Sequence, residues 1–245
     1  MAAVLPQIKK FLAEEPLPFY IGGKFVPAAA GGTFETRDPG TGEVLARVAS
    51  GEAADIDAAV GAAQQAFGKS GWADLAANDR AVILHRLADK VDEQAEVLAQ
   101  IESMDVGKPL GQAKGSDVPS LSQALRYFAD LAVQTRVRDP IALRGLDAYT
   151  YRSPYGVCGF IIPWNFPLLL LGWNIAPALA AGNTVVVKPA EDTPLSTLYF
   201  CHLAAMAGVP AGVINVVTGF GSTAGAALAG HAGLTPKTPT ITDSS

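Results

Sequence analysis

A chain of 245 residues with 49% hydrophobic and 17% charged residues has enough apolar material for a substantial core, which excludes a chain kept disordered by polarity and charge. A formal net charge of -5 offers no basic footprint for nucleic acid or for an anionic membrane surface, so the expected partner is a small molecule. The two cysteines, Cys158 and Cys201, lack CxxC spacing and a histidine-rich neighbourhood, which points away from a disulfide scaffold or a metal site and fits a reducing cytoplasm.

In chain order, Met1 to Glu15 carries its lysines after Ile8 and reads as a short amphipathic helix, not a secretory signal. Phe19-Tyr20-Ile21 and Lys24-Phe25-Val26 flank Gly22-Gly23, the pattern of a β-hairpin. Helical spacing of apolar residues follows at Asp55 to Phe67, at Asn78 to Met104 and at Ser116 to Gln134. A polar stretch punctuated by Pro140 and Gly145 comes next, from Arg136 to Gly145.

From Ala148 the texture changes. Tyr149 to Pro163 is strand-like, and its run Val157, Phe160, Ile161 and Ile162 suits a strand buried on both faces. Pro167 to Gly182 is an apolar helix, at about 16 residues shorter than the roughly 20 needed to cross a bilayer. A second strand at Thr184 to Val187, a helix at Pro194 to Ala207, a third strand at Val213 to Val217 and a helix starting near Gly221 complete a βαβαβα run. The expected fold is α/β, with an incomplete Rossmann-like parallel sheet and flanking helices, preceded by a helical segment and a β-hairpin. The expected division is 1–147 for the hairpin, helices and first oligomerisation strands, 148–234 for the dinucleotide-binding βαβαβα region, and 235–245 for a mobile Thr- and Pro-rich tail.

Three constellations fall at the carboxyl ends of these strands, where open parallel sheets bind ligands. Gly219-Phe-Gly-Ser-Thr-Ala-Gly225 follows a strand and opens a helix, an arrangement whose backbone can approach a phosphate at a helix N-terminus, although a tight βα turn without ligand explains it equally. Lys188 and Glu191 end the second strand with donors and an acceptor that suit a ribose, or else form a solvated salt pair. Asn165, between Pro163 and Pro167, can aim a rigid amide at a developing oxyanion, or merely cap the helix behind it. Cys158, Cys201, His85, His202 and His231 read as core or surface residues without catalytic or metal spacing, His202 on the exposed side of its helix.

Taken together, Ile162-Pro-Trp-Asn-Phe-Pro167, Gly182-Asn-Thr-Val-Val-Val-Lys-Pro-Ala-Glu-Asp-Thr-Pro194 and Gly212-Val-Ile-Asn-Val-Val217 leading into Gly219 resemble the NAD(P)-dependent aldehyde dehydrogenase superfamily, N-terminal half. Glu102-Ser-Met-Asp-Val-Gly-Lys-Pro109 and Tyr155-Gly-Val157 are similar too. The resemblance implies NAD-dependent oxidation of an aldehyde to a carboxylic acid, with NAD favoured over NADP because Glu191 would meet a 2′-phosphate. It implies Asn165 as the side-chain oxyanion donor, Lys188 and Glu191 on the adenosine ribose, and Gly221 and Gly225 on the adenine and pyrophosphate side. Ile161, Pro163 and Trp164 would supply backbone and wall. No residue is implied as a metal ligand. The family's catalytic-cysteine and water-activating glutamate segments find no match before Ser245, so the chain is expected to be a truncated form inactive alone, with an exposed sheet edge and a tendency to form homo-oligomers or to pair with longer subunits. The alternative is a non-catalytic nucleotide-binding or subunit-pairing protein.

Overall fold

The computed structural model describes residues 4–69 and 71–234. The expected tail at 235–245 lies outside the described residues.

The first elements are helix α1 (Pro6–Leu12) and strands β1 (Phe19–Ile21), β2 (Lys24–Val26), β3 (Thr33–Arg37) and β4 (Val44–Ala49). Helices α2 (Ala53–Lys69), α3 (Ala77–Glu93) and α4 (Ala95–Val106) follow. The periodicity over Asn78 to Met104 predicts one helix. It is broken at Gln94, whose φ of -107 and ψ of 19 leave the helical region and let α4 turn away from α3. Helix α5 (Leu110–Gln112) runs through a π turn at Ala113–Asp117 into α6 (Val118–Gln134). The polar stretch punctuated by Pro140 and Gly145, where the first oligomerisation strands are expected, forms a hairpin of β5 (Arg138–Leu143) and β6 (Leu146–Tyr151), turned at Gly145 with φ of 80. Then come β7 (Val157–Ile162), α7 (Pro167–Ala180), β8 (Thr184–Pro189), α8 (Leu195–Met206), β9 (Ile214–Val216) and, after a π turn at Gly221–Gly225, α9 (Ala226–Ala229).

The expected parallel core is present: β7, β8 and β9 pair in parallel, with Ile161 beside Lys188 and Val187 beside Val216. The first hairpin does not stand apart from it. Tyr20 pairs with Val216, so β1 and β2 extend the sheet to five strands in the order β2-β1-β9-β8-β7. Alternation along β8 distributes the core. Val185 and Val187 face the helices α3, α4, α6, α7 and α8, while Val186 faces a smaller cluster with Ile56, Val60 and Ala63 of α2 and Leu228 of α9. All six residues of β8 are therefore buried, as expected for a strand with both faces covered.

β7 departs from the sequence expectation. It is an edge strand, with Gly159 exposed and Ile161 50% exposed, because only β8 pairs with it. An open cavity of about 600 Å³ runs along this edge, lined by Phe67, Tyr155, Val157, Cys158, Phe160 and Leu234 among others. Among the described residues, no helix is long and apolar enough to cross a membrane.

Candidate functional site

Lys188 and Glu191 leave β8 where the strand gives way to the turn before α8. The Lys188 ammonium donates to Glu191 Oε2 at 2.7 Å, and Lys188 itself is only 1% exposed. This is not the solvated surface pair that the residue types alone allow. An almost buried ammonium needs a paired carboxylate to offset its desolvation, and Glu191 supplies one. Partial burial pulls the Glu191 carboxyl upward, but the Lys188 ammonium and the amides of Glu191 and Gly221 outweigh it and hold the group below the usual carboxylate range.

The Gly221 amide donates to Glu191 Oε1 at 3.2 Å, so the loop after β9 is joined to the end of β8. A Cβ built at Gly221 would stand 3.8 Å from that same oxygen, and one at Gly225 would stand 3.7 Å from Cδ of Lys188. Larger side chains at either glycine would crowd the Lys188–Glu191 pair. The helix expected to open here is a five-residue π turn followed by the four-residue α9, too short for its dipole to carry a phosphate-binding argument. Four of the expected residues, Lys188, Glu191, Gly221 and Gly225, thus form one contact group. Ile161 adjoins it through its register with Lys188.

Pro163, Trp164 and Asn165 occupy the loop just beyond β7, on the same rim but outside that group, and all three are exposed. The capping alternative for Asn165 does not describe what is found. The N-cap of α7 is Phe166, without a side-chain cap bond, and the orphan Leu168 amide donates instead to Glu102 Oε1 at 3.2 Å. Asn165 is exposed and makes no side-chain hydrogen bond among the described residues.

Sequence reasoning missed the acidic layer behind this rim. Glu102, Asp105 and Asp117 are each at most 2% exposed. Asp105 accepts from the Leu195 amide at 2.8 Å and from the Thr36 hydroxyl at 3.1 Å, tying the start of α8 and β3 to α4. Burial pushes the Glu102 carboxyl up to about 7 against the opposing pull of the Ser196 hydroxyl, the Leu168 amide and the Lys108 ammonium. Burial likewise raises Asp105 well above its ordinary value, although the Leu195 amide and Thr36 favour its charged form. The available signal was positional: Glu102 and Asp105 follow Leu98 at i+4 and i+7, on the apolar stripe of α4, where a carboxylate must be paired or protonated.

The cysteines behave as buried thiols. Cys201 is fully buried in α8, and its desolvation raises the thiol far above its usual range; Cys158 is half-buried on β7 and is raised for the same reason. His202 differs from the expectation of an exposed ring. It stacks on Phe25 at 4.2 Å and meets Phe11 edge-on at 5.9 Å, because the first hairpin and α1 fold back over α8. Among the described residues, no group of three or more His, Cys, Asp or Glu side chains is arranged to hold a metal ion.

The aldehyde dehydrogenase family model matches residues 25–236, which takes in β8, the Glu191 turn and the glycine loop together. The chain belongs to the aldehyde dehydrogenase family. It is 47% identical over 211 residues to the mitochondrial aldehyde dehydrogenase family 2 member B4 of Arabidopsis thaliana, covering 86% of this chain and 39% of that protein. It is 45% identical over 212 residues to the putative aldehyde dehydrogenase DhaS of Bacillus subtilis, covering 86% of this chain and 43% of the other. The NAD+ complex of an aldehyde dehydrogenase from Bacillus cereus superimposes with a TM-score of 0.91 at 43% identity, over 95% of this chain and 47% of that one. The chain therefore spans about two fifths of the length of the curated relatives it matches.

Proposed function

We propose that this chain is the dinucleotide-binding part of an NAD-dependent enzyme that oxidises an aldehyde to a carboxylic acid. The observation that carries the reading is the joined group of Lys188, Glu191 and Gly221 at the carboxyl ends of β8 and β9. A buried ammonium, a carboxylate with its pKa held low and a loop amide sit together at the rim where a parallel sheet receives a nucleotide. The donor set fits a ribose: Glu191 accepts from vicinal hydroxyls while Lys188 donates to one of them, and the carboxylate opposes a 2′-phosphate, favouring NAD over NADP. Gly221 and Gly225 keep the approach free of side chains, and Ile161, Pro163 and Trp164 form the wall beside it. NAD supplies the two-electron acceptor when bound.

Asn165 is the oxyanion donor in this reading. It stands on the adjoining loop between two prolines, with Glu102 rather than itself capping α7, which leaves its amide available to a developing negative charge. The dinucleotide-binding unit runs over 148–234, with β1 and β2 joining its sheet and the preceding helices packed against it. Neither Cys158 nor Cys201 serves as the nucleophile, since desolvation disfavours both thiolates. On these residues alone the chain produces no NADH from an aldehyde.

Pairing with another copy or with a longer subunit falls to the β5–β6 hairpin. Its register places Ile141, Leu143 and Leu146 on one face, exposed by 43%, 51% and 69%. The free thiols fit a reducing compartment, in keeping with a cytoplasmic location.

The test is a calorimetric titration of the full chain with NAD and with NADP, repeated on Lys188→Met and Glu191→Gln. The reading expects NAD to bind more tightly than NADP, and each variant to weaken NAD at least about tenfold, the loss of one charged hydrogen bond. Wild-type chain that binds neither dinucleotide, or binds NAD as well after both substitutions, would overturn it.

A further inference from the structure

Lys108 is absorbed by none of the roles above, yet it is among the most enclosed cations of the chain, its side chain 7% exposed. Its backbone is held at both sides. Gly107 caps α4 in the left-handed region with φ of 77, and the Ser103 hydroxyl donates to the Lys108 carbonyl at 2.7 Å. From that fixed turn the side chain reaches three separate elements. The ammonium pairs with Asp117 in the π turn before α6, lies 3.9 Å from Glu102 Oε1 and stands 4.3 Å over the ring of Phe166. A second N–H goes to the backbone carbonyl of Asn165 at 3.1 Å.

We propose that Lys108 is a positioning residue whose enclosed ammonium clamps the Asn165 carbonyl and thereby fixes the direction of the Asn165 side chain. This rests on the reading of Asn165 as the oxyanion donor. A loop residue with an exposed side chain and no side-chain partner owes its orientation to its backbone. Here the Asn165 carbonyl is held by a cation, and Pro167 restricts the backbone of the next residue, Phe166. The clamp is directional because the ammonium is itself oriented: Asp117 takes one N–H, the Phe166 ring faces the cation, and the stem emerges from a turn that Gly107 and Pro109 restrict. Glu102 completes the arrangement. It caps Leu168 at the start of α7 with the oxygen that also faces Lys108, so the beginning of α7 and the loop ahead of it are tied to one buried cluster. The Glu102 carboxyl has its pKa raised, which leaves Asp117 as the principal counter-charge of Lys108 below neutral pH.

The experiment uses the full chain with asparagine labelled in ¹⁵N, which gives five reporters: Asn78, Asn165, Asn174, Asn183 and Asn215. In Lys108→Met the backbone order parameter of Asn165 is expected to fall from the rigid range, about 0.85, to below about 0.6, with its side-chain amide signals shifted or broadened. The other four asparagines report that the fold is intact and stay in place. Lys108→Arg, which keeps a charge and donors, restores the Asn165 signals, whereas Lys114→Met, on the π turn that carries Asp117 but paired with Glu96 at the surface, leaves them unchanged. An Asn165 as ordered in Lys108→Met as in the parent overturns the proposal. Should Lys108→Met not fold, the parent chain labelled on lysine Nζ decides: the clamp requires the Lys108 ammonium protons to exchange with water at least tenfold more slowly than those of Lys114, and equal rates overturn it. These readings need neither dinucleotide nor aldehyde, so their failure is separate from failure of the cofactor titration.

Discussion

Replacing Glu102 by Gln tests the buried acidic layer in depth. The carboxyl is fully buried and its pKa rises from 4.5 to about 7, chiefly through desolvation. A carboxyl that holds its proton more tightly in the folded than in the unfolded chain contributes stability that is complete below the unfolded pKa. That contribution is lost as pH rises toward the folded pKa, because the folded state then binds more protons than the unfolded one. A shift from 4.5 to about 7 corresponds to a loss on the order of 3 kcal/mol between these limits, at about 1.4 kcal/mol for each unit. Glutamine keeps the acceptor for the Leu168 amide but carries no charge at any pH. The variant is therefore expected to match the parent at about pH 4 and to exceed it at about pH 8, by roughly 6–12 °C in Tm for a chain of this size. The assay is thermal unfolding followed by circular dichroism at both pH values. Asp105 is raised in the same direction, in part by the Glu102 charge, so the substitution relaxes that shift and adds to the advantage of the variant at high pH without reversing its sign. A Tm difference that is the same at the two pH values would refute the reasoning, since it would mean that Glu102 does not change protonation on unfolding.

Other perturbations probe other parts of the molecule. Gly172→Ala places a Cβ 2.9 Å from the Leu121 Cα where α7 packs on α6, and is expected to cost about 1–3 kcal/mol, measured by urea denaturation at unchanged m. Alkylation of the native chain at neutral pH is expected to modify Cys158 slowly and to spare Cys201 until denaturant is added; rapid labelling of Cys201 in the folded chain contradicts its burial. The double variant Leu143→Asp/Leu146→Asp is expected to shift the sedimentation profile toward monomer relative to the parent, and a parent that is already monomeric at high concentration removes the pairing role from the β5–β6 hairpin.

Much of the candidate site was legible because its logic is local. Thr184 to Val187 is an unbroken β-branched run, so it forms a buried strand, and the charged residues at its end fall at a rim whatever packs around them. The glycine loop was placed correctly for the same reason, although the helix behind it is only a short turn. What failed required knowledge of neighbours. β7 has the composition of a buried strand, yet with pairing on one side only Gly159 and Ile161 are exposed and Ile162 alone is buried. His202 lies on a helix whose outer face is covered by a hairpin more than 170 residues earlier. The apolar period of Asn78 to Met104 runs on through Gln94 without registering the change of direction there.

Sequence alone determined the βαβαβα order and the residues at the strand ends, because each depends on spacing within a few turns of chain, and its motifs carried the resemblance to the family. Tertiary structure decided the five-stranded sheet, since only long-range pairing brings Tyr20 to Val216, and it decided which charges are buried. Lys108 and Asp117 look like ordinary surface residues in the sequence, and Glu102 is marked only by its place on the apolar stripe of α4. Their enclosure beneath the Asn165 loop arises from the packing of α4, α6 and α7, and desolvation, which sets the pKa of Glu102 and isolates the ammonium of Lys108, exists only once those elements close around them.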